Sequence, residues 1–190
     1  MFVLFAFTMV TTSRSAEAWV QRYNGPSESS DQATKTVTDN AGNVIVTGYS
    51  NDGVTGDDWL TIKYSGAGVP LWTNRYNGPG NSDDQARAVA VDGSGNVFVT
   101  GSSTGSGSFF DYATVAYSGA GVPLWTNRYN GPGNGTDQAS AVAVDGSGNV
   151  FVTGSSTGSG SFSDYATVAY SGAGVPLWTN RYNGPGNSND

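Results

Sequence analysis

Trp19, Trp72, Trp125 and Trp178 stand 53 residues apart each time, without insertion or deletion. No other feature of the chain limits its fold as tightly, because a repeat of fixed length is one supersecondary unit that buries its apolar face only against its neighbours. The register runs through the whole unit. Asp31-Gln32 returns as Asp84-Gln85 and Asp137-Gln138, Gly42-Asn43-Val44 returns at Gly95 and Gly148, and Tyr64-Ser65-Gly66 returns at Tyr117 and Tyr170. Residues 72–124 and 125–177 differ at four positions: Ser82/Gly135, Asp83/Thr136, Arg87/Ser140 and Phe110/Ser163. The copy at 19–71 is more divergent, so the duplication of the other two is recent.

Within a unit the residues read as four short strands. In the second copy these are Ala86 to Asp92, Asn96 to Ser102, Tyr112 to Tyr117 and Pro123 to Tyr129. Val, Tyr, Phe and Thr fill the runs, and Gly, Asn, Asp and Pro fill the turns between them. Glycine, at 28 of 190 residues, suits a fold of many turns and argues against helices. Four antiparallel strands at a period near 50 predict an all-β chain of β-propeller blades. The first strand carries small residues, Ala88 and Ala90 between Val89 and Val91, as the crowded axis of a propeller requires. The fourth carries Trp125 and Tyr129, where blades fan apart. A β-solenoid is the rival, but its coils are shorter than 53 residues.

The run D-x-x-G-N-V-x-V-T-G, then D-Y-x-T-V-x-Y-x-x-x-G, then W-x-x-R-Y, resembles the SBBP ("seven-bladed β-propeller") repeat of bacterial secreted and cell-surface proteins. Asp92, Gly95 to Gly101, Asp111-Tyr112, Thr114-Val115, Tyr117, Trp125 and Arg128-Tyr129 carry the resemblance, and the third copy matches equally well. The first copy departs, with Trp59-Leu60 for Tyr-Ala and Thr36-Val37-Thr38 for Val-Ala-Val. The resemblance implies a propeller fold and an extracellular setting; it carries over no catalytic residue.

Complete blades are expected at about 31–78, 84–131 and 137–184, within a repeat domain at 19–190. An orphan outer strand at 19–23 precedes them, and a further repeat begins at Asn187 to Asp190. Three blades cannot close a ring of the usual four to eight. One open blade face of roughly 300 Å² forfeits around 8 kcal/mol of burial. The arc is therefore expected to self-associate through its open faces or to belong to a longer chain, whose last blade the N-terminal outer strand would complete.

Residues 1–18 resemble a secretory signal peptide: an apolar run from Phe2 to Val10, a polar stretch, and Ala16-Glu17-Ala18 as the cleavage site, although no Lys or Arg precedes the run. The apolar run is too short to span a bilayer, so no membrane insertion is expected after cleavage. A secreted or cell-surface protein follows. The net charge of −7 makes nucleic acid and anionic membranes poor partners. With neither cysteine nor histidine, the chain lacks disulfides, thiolate nucleophiles and the commonest metal ligand and general base.

Strand order puts the second-to-third loop and the between-blade loop at one end of the molecule. The four differences between the near-identical copies fall there, with Arg87/Ser140 just inside the strand leading from that end. Ser82, Asp83, Arg87, Phe110, Gly135, Thr136, Ser140 and Ser163, with neighbouring Phe109 and Phe162, are therefore candidate binding residues on an adaptable face; neutral drift in tolerant loops is the competing reading. Asp52, Asp57 and Asp58 form the densest acidic loop and are weak metal candidates against a plain solvated loop. Asp92-Gly93-Ser94-Gly95-Asn96 has one carboxylate and reads as an Asx-type turn rather than a calcium loop. Trp72, Trp125 and Trp178 could stack on sugars, but one per blade favours packing between blades. Arg75, Arg128 and Arg181 recur alongside Asp84 and Asp137, which suggests a structural ion pair in each blade. Asn134-Gly135-Thr136 is a glycosylation sequon.

An active site needs a unique, asymmetric constellation, whereas nearly every acid here recurs in identical context. No cofactor is expected. The reading is a non-enzymatic extracellular scaffold, structural or adhesive, with an unknown protein or glycan ligand. A multivalent glycan-binding module and a fragment of a larger propeller hydrolase are the alternatives.

Overall fold

The structure is a computed structural model that describes residues 18–160, 162–186 and 189. The expected signal peptide lies outside the described residues apart from Ala18, and the expected start of a further repeat lies outside them apart from Asn189.

Three four-stranded antiparallel sheets make up the described residues, which contain no helix. The first blade holds β1 (Asp31–Thr38), β2 (Val44–Asn51), β3 (Asp57–Tyr64) and β4 (Pro70–Tyr76). The second holds β5 (Asp84–Val91), β6 (Val97–Thr104), β7 (Phe110–Tyr117) and β8 (Pro123–Tyr129). The third holds β9 (Asp137–Val144), β10 (Val150–Thr157), β11 (Ser163–Tyr170) and β12 (Pro176–Tyr182). Each sheet is paired in chain order, and the array is open. The turn from β5 to β6 is set by Asp92, whose Oδ1 accepts the N–H groups of Ser94 (2.9 Å) and Asn96 (2.8 Å). Gly95 takes φ +84° there, a conformation that favours glycine.

The strands run further than the apolar pattern predicts. β5 begins at Asp84 rather than Ala86, β6 continues to Thr104 rather than Ser102, and β7 begins at Phe110 rather than Tyr112. Polar residues hold these extensions: Asp84 Oδ1 accepts the Thr104 N–H at 3.0 Å, so pairing outlasts the hydrophobic run.

Blades stack through their inner strands. β5 packs on β1, β2 and β3, and β9 packs on β5, β6 and β7. Two apolar cores result. One joins Ile45 and Trp59 of the first blade to Ala86, Val99, Val115 and Tyr117 of the second. The other joins Phe98 and Tyr112 of the second to Ala139, Val152, Val168 and Tyr170 of the third. The small alanines of the inner strands let neighbouring sheets approach. Trp59 Nε1 donates across the first interface to the Ser102 carbonyl (3.1 Å), and the Tyr112 hydroxyl donates across the second to the Ala166 carbonyl (3.2 Å).

The segment 19–23 was expected as an outer strand, and here the structure differs. Among the described residues it pairs with no sheet, because none of them forms inner strands of a preceding blade beside it. It lies instead on the first blade, with Trp19 Nε1 donating to the Gly66 carbonyl at 3.1 Å.

Lys63 occupies the place of Ala116 and Ala169 and ties the first two blades together. Its Nζ lies 2.9 Å from Asp39 Oδ2 and donates to the Gly119 carbonyl at 3.0 Å. Burial alone would raise the Asp39 carboxyl, but hydrogen bonds from Asn43 and Lys63 outweigh it and hold the group well below the usual carboxylate range. The folded value thus lies below the unfolded one, so this contribution is complete above pH ~3.8 and drains away as pH falls further. Asp39→Asn is expected to lower the thermal midpoint at pH 6. The gap to the parent chain should narrow from pH 4 downward, and a gap that stays constant to pH 2.5 would rule the pair out as its cause.

Candidate functional site

The end of the molecule where the copies differ is built on carboxylates. The inner strands open on Asp31, Asp84 and Asp137, of which the last two are fully buried. Asp137 accepts the N–H groups of Gly131 (2.6 Å) and Thr157 (2.9 Å). Asp84 accepts those of Gly78 and Thr104, and Asp31 that of Gly25. Each carboxylate thereby fastens the Asn-Gly-Pro loop between blades to its own sheet. Burial pushes the Asp84 carboxyl up from its ordinary value, against the opposing effect of Ser103 and of the Gly78 and Thr104 N–H groups.

Beside these lie the ion pairs, with a partner other than the expected one. Arg75, Arg128 and Arg181 bind Asp58, Asp111 and Asp164, each at 2.9 Å, and not Asp84 or Asp137. The reason is topological. The arginines sit on β4, β8 and β12, next to β3, β7 and β11, which carry these acids; β5 and β9 lie at the far edge of their sheets. Arg128 also donates to the Ser103 carbonyl (2.7 Å) and to the Tyr76 hydroxyl of the preceding blade (3.2 Å). One guanidinium so joins three strands and two blades.

Arg87 and Ser140 have a placement that the sequence did not disclose. Both are exposed, and both stand at a break in register, between Ala86 and Ala88 and between Ala139 and Ala141. Thr34 does the same in β1, between Ala33 and Lys35. Each inner strand thus carries a β-bulge, a device that re-aims one side chain. The bulge presents a different residue in each blade. The available signal was the invariant glycine of V-T-G. A Cβ at Gly48, Gly101 or Gly154 would lie about 2 Å from the carbonyl of Gln32, Gln85 or Gln138.

The loop tips complete this end. Phe109 and Phe162 are 68% and 65% exposed, and Val54 stands free in the first blade's loop. Ser82, Asp83 and Thr136 are exposed; Gly135 is half-buried, as are Phe110 and Ser163 at the heads of β7 and β11. Asp83 is already engaged, since its Oδ1 accepts the Asp57 N–H at 3.1 Å from the preceding blade. The structure brings these residues to one end as a shallow polar surface studded with single apolar side chains.

The acidic loop is occupied internally. Asp52 Oδ1 accepts the N–H groups of Thr55 (2.7 Å) and Val54 (2.8 Å), which lower its pKa. Asp57 accepts from Asn51, and Asp58 is the partner of Arg75. Among the described residues no group of three or more acids is placed to hold a metal ion. Burial pushes the phenols of Tyr117 and Tyr170 up to about 12, away from acid–base work near neutrality.

Trp72 and Trp125 pack between blades. Each ring lies against the tyrosine of the next blade, Tyr117 at 5.9 Å and Tyr170 at 5.7 Å, and each Nε1 donates to that blade's Gly119 or Gly172 carbonyl. Trp178 meets no such neighbour among the described residues and is 43% exposed. Sequence reasoning missed a second exposed apolar feature, at the opposite end: Val69 and Leu71, Val122 and Leu124, and Val175 and Leu177 flank the first proline of each outer strand and are all exposed. The invariant V-P-L triplet was the signal, but its apolar residues read as packing.

Residues 71–109 and 124–161 match the family model of the SBBP β-propeller repeat. The matched unit starts on the outer strand of one blade and ends in the second-to-third loop of the next, so the sequence repeat is offset from the structural blade. No curated protein matches the chain.

Proposed function

We propose that this chain, a carrier of SBBP β-propeller repeats, works outside the cell as a non-enzymatic scaffold whose variable loop end binds a protein ligand. One observation carries the reading: the second and third copies hold their framework residues unchanged and vary at that end, where Phe109 and Phe162 stand exposed. Apolar side chains on a rigid polar surface are affordable to a monomer when isolated and useful when a partner covers them. Repetition adds avidity without demanding a deep pocket. The carboxylates of this end are committed to the frame, which favours binding over hydrolysis.

The test displays the exported chain on a bacterial surface and scores adhesion to protein-coated and glycan-coated supports. The parent is expected to adhere to protein coats. The triple variant Val54→Ser, Phe109→Ser, Phe162→Ser should lose most of that adhesion at an unchanged unfolding temperature. The exported chain should begin at Trp19. Adhesion to glycans alone would replace this reading with a lectin, and hydrolysis of a coat would replace it with an enzyme. Retention of the whole chain in the cytosol would remove its extracellular part.

A further inference from the structure

The two interfaces inside the chain repeat one set of outer-strand contacts, and the N-terminal segment makes the same set a third time. Trp72 Nε1 meets the Gly119 carbonyl at 3.2 Å, Trp125 Nε1 meets that of Gly172 at 2.9 Å, and Trp19 Nε1 meets that of Gly66 at 3.1 Å. Trp19 lies 5.7 Å from Tyr64, as Trp125 does from Tyr170. Tyr23 acts on Arg75 and helps to raise its pKa, from the repeat position that Tyr76 takes against Arg128 and Tyr129 against Arg181. Residues 19–23 therefore hold the place of a fourth strand in a blade ahead of the first, and no described residue fills the places of its three inner strands.

A groove of about 270 Å³ marks that opening, between Trp19 and Tyr23 on one side and Val46, Leu60, Ile62 and Tyr64 on the other. Leu60 and Ile62 fill part of the face that Ala113 and Val115 leave to a neighbour, yet the groove remains. At the other end of the arc the third blade exposes Tyr165, Trp178 and Tyr182, at 57%, 43% and 58%. Their counterparts Tyr112 and Trp125 are covered by the next blade or lie against it.

We propose that the first-blade face receives the third blade of a second copy, and that residues 19–23 regulate this docking. The incoming blade brings its own fourth strand, β12, and Trp178 then needs the place that Trp19 holds. Two outer strands compete for one position, so the N-terminal segment must leave before the copies join. Reciprocal docking of two copies brings six described blades together through two equivalent contacts, a number that a closed two-fold ring accommodates. The proposal rests on blade stacking and not on the loop-end ligand, so its failure leaves the reading above untouched.

Light scattering after size exclusion on the chain from Trp19 onward decides it. The parent is expected to run as a monomer. Trp19→Ala, and separately removal of residues 19–23, should shift it to the dimer mass at the same concentration. Adding Trp178→Ala to either should restore the monomer. Larger assemblies that Trp178→Ala abolishes support the docking as the dimer does, and assemblies indifferent to it overturn it. A folded Trp19→Ala chain that stays monomeric overturns the proposal, as does a parent that dimerises as tightly as the variant. If the truncated chain fails to fold, the point variant alone decides.

Discussion

Gly101→Ala is expected to cost about 3 kcal/mol and to lower the unfolding midpoint by roughly 6–12 °C, while Gly93→Ala stays within about 0.5 kcal/mol of the parent. The two glycines lie in one blade and differ in what surrounds them. A Cβ on Gly93 would meet nothing within 4 Å. A Cβ on Gly101 would lie 2.0 Å from the Gln85 carbonyl oxygen and 2.9 Å from Ala86 Cα, both backbone atoms of the inner strand. No rotamer relieves such a contact; β5 and β6 have to separate where the Arg87 bulge crosses. Thermal and denaturant unfolding of both variants measures it. Equal, mild effects would mean that β6 does not pass the bulge as closely as described.

Arg128→Leu is the second large effect, expected at about 3–5 kcal/mol in denaturant unfolding. Leucine retains apolar bulk but leaves the Asp111 carboxylate, 4% exposed, without its cation. It also strips the Ser103 carbonyl and the Tyr76 hydroxyl of a donor. The double variant Arg128→Leu, Asp111→Asn should recover a large part of the loss, because the uncompensated charge is the main penalty. A single variant costing under about 1 kcal/mol would place this pair among ordinary surface ion pairs. A double variant no better than the single would show that the lost hydrogen bonds, rather than the charge, dominate.

The blade architecture was legible in the sequence because the signals that create it are local. A 53-residue period, alternating Ala and Val in the inner strand, and Gly, Asn and Pro in the turns each state a backbone preference that needs no distant partner. The Asx-type turn at Asp92 was readable for the same reason, since donor and acceptor lie within four residues of each other. The end of the molecule that gathers Phe109, Asp83 and Arg87 followed from strand order alone.

What tertiary structure decided depends on contacts between strands far apart in sequence. Whether Arg128 meets Asp111 or Asp84 turns on which strand lies beside β8, and spacing cannot express that. The polar extension of β6 to Thr104 depends on the Asp84 carboxylate, from a strand 20 residues upstream. The bulge at Arg87 exists only in the mismatch between two paired strands, so the glycine opposite it reads in sequence as a mere turn former. Trp19 shows the limit most clearly. Its residue type and period matched an outer strand, but a strand is made by its neighbours' hydrogen bonds, and without inner strands beside it the segment keeps the packing of a blade edge and loses the pairing.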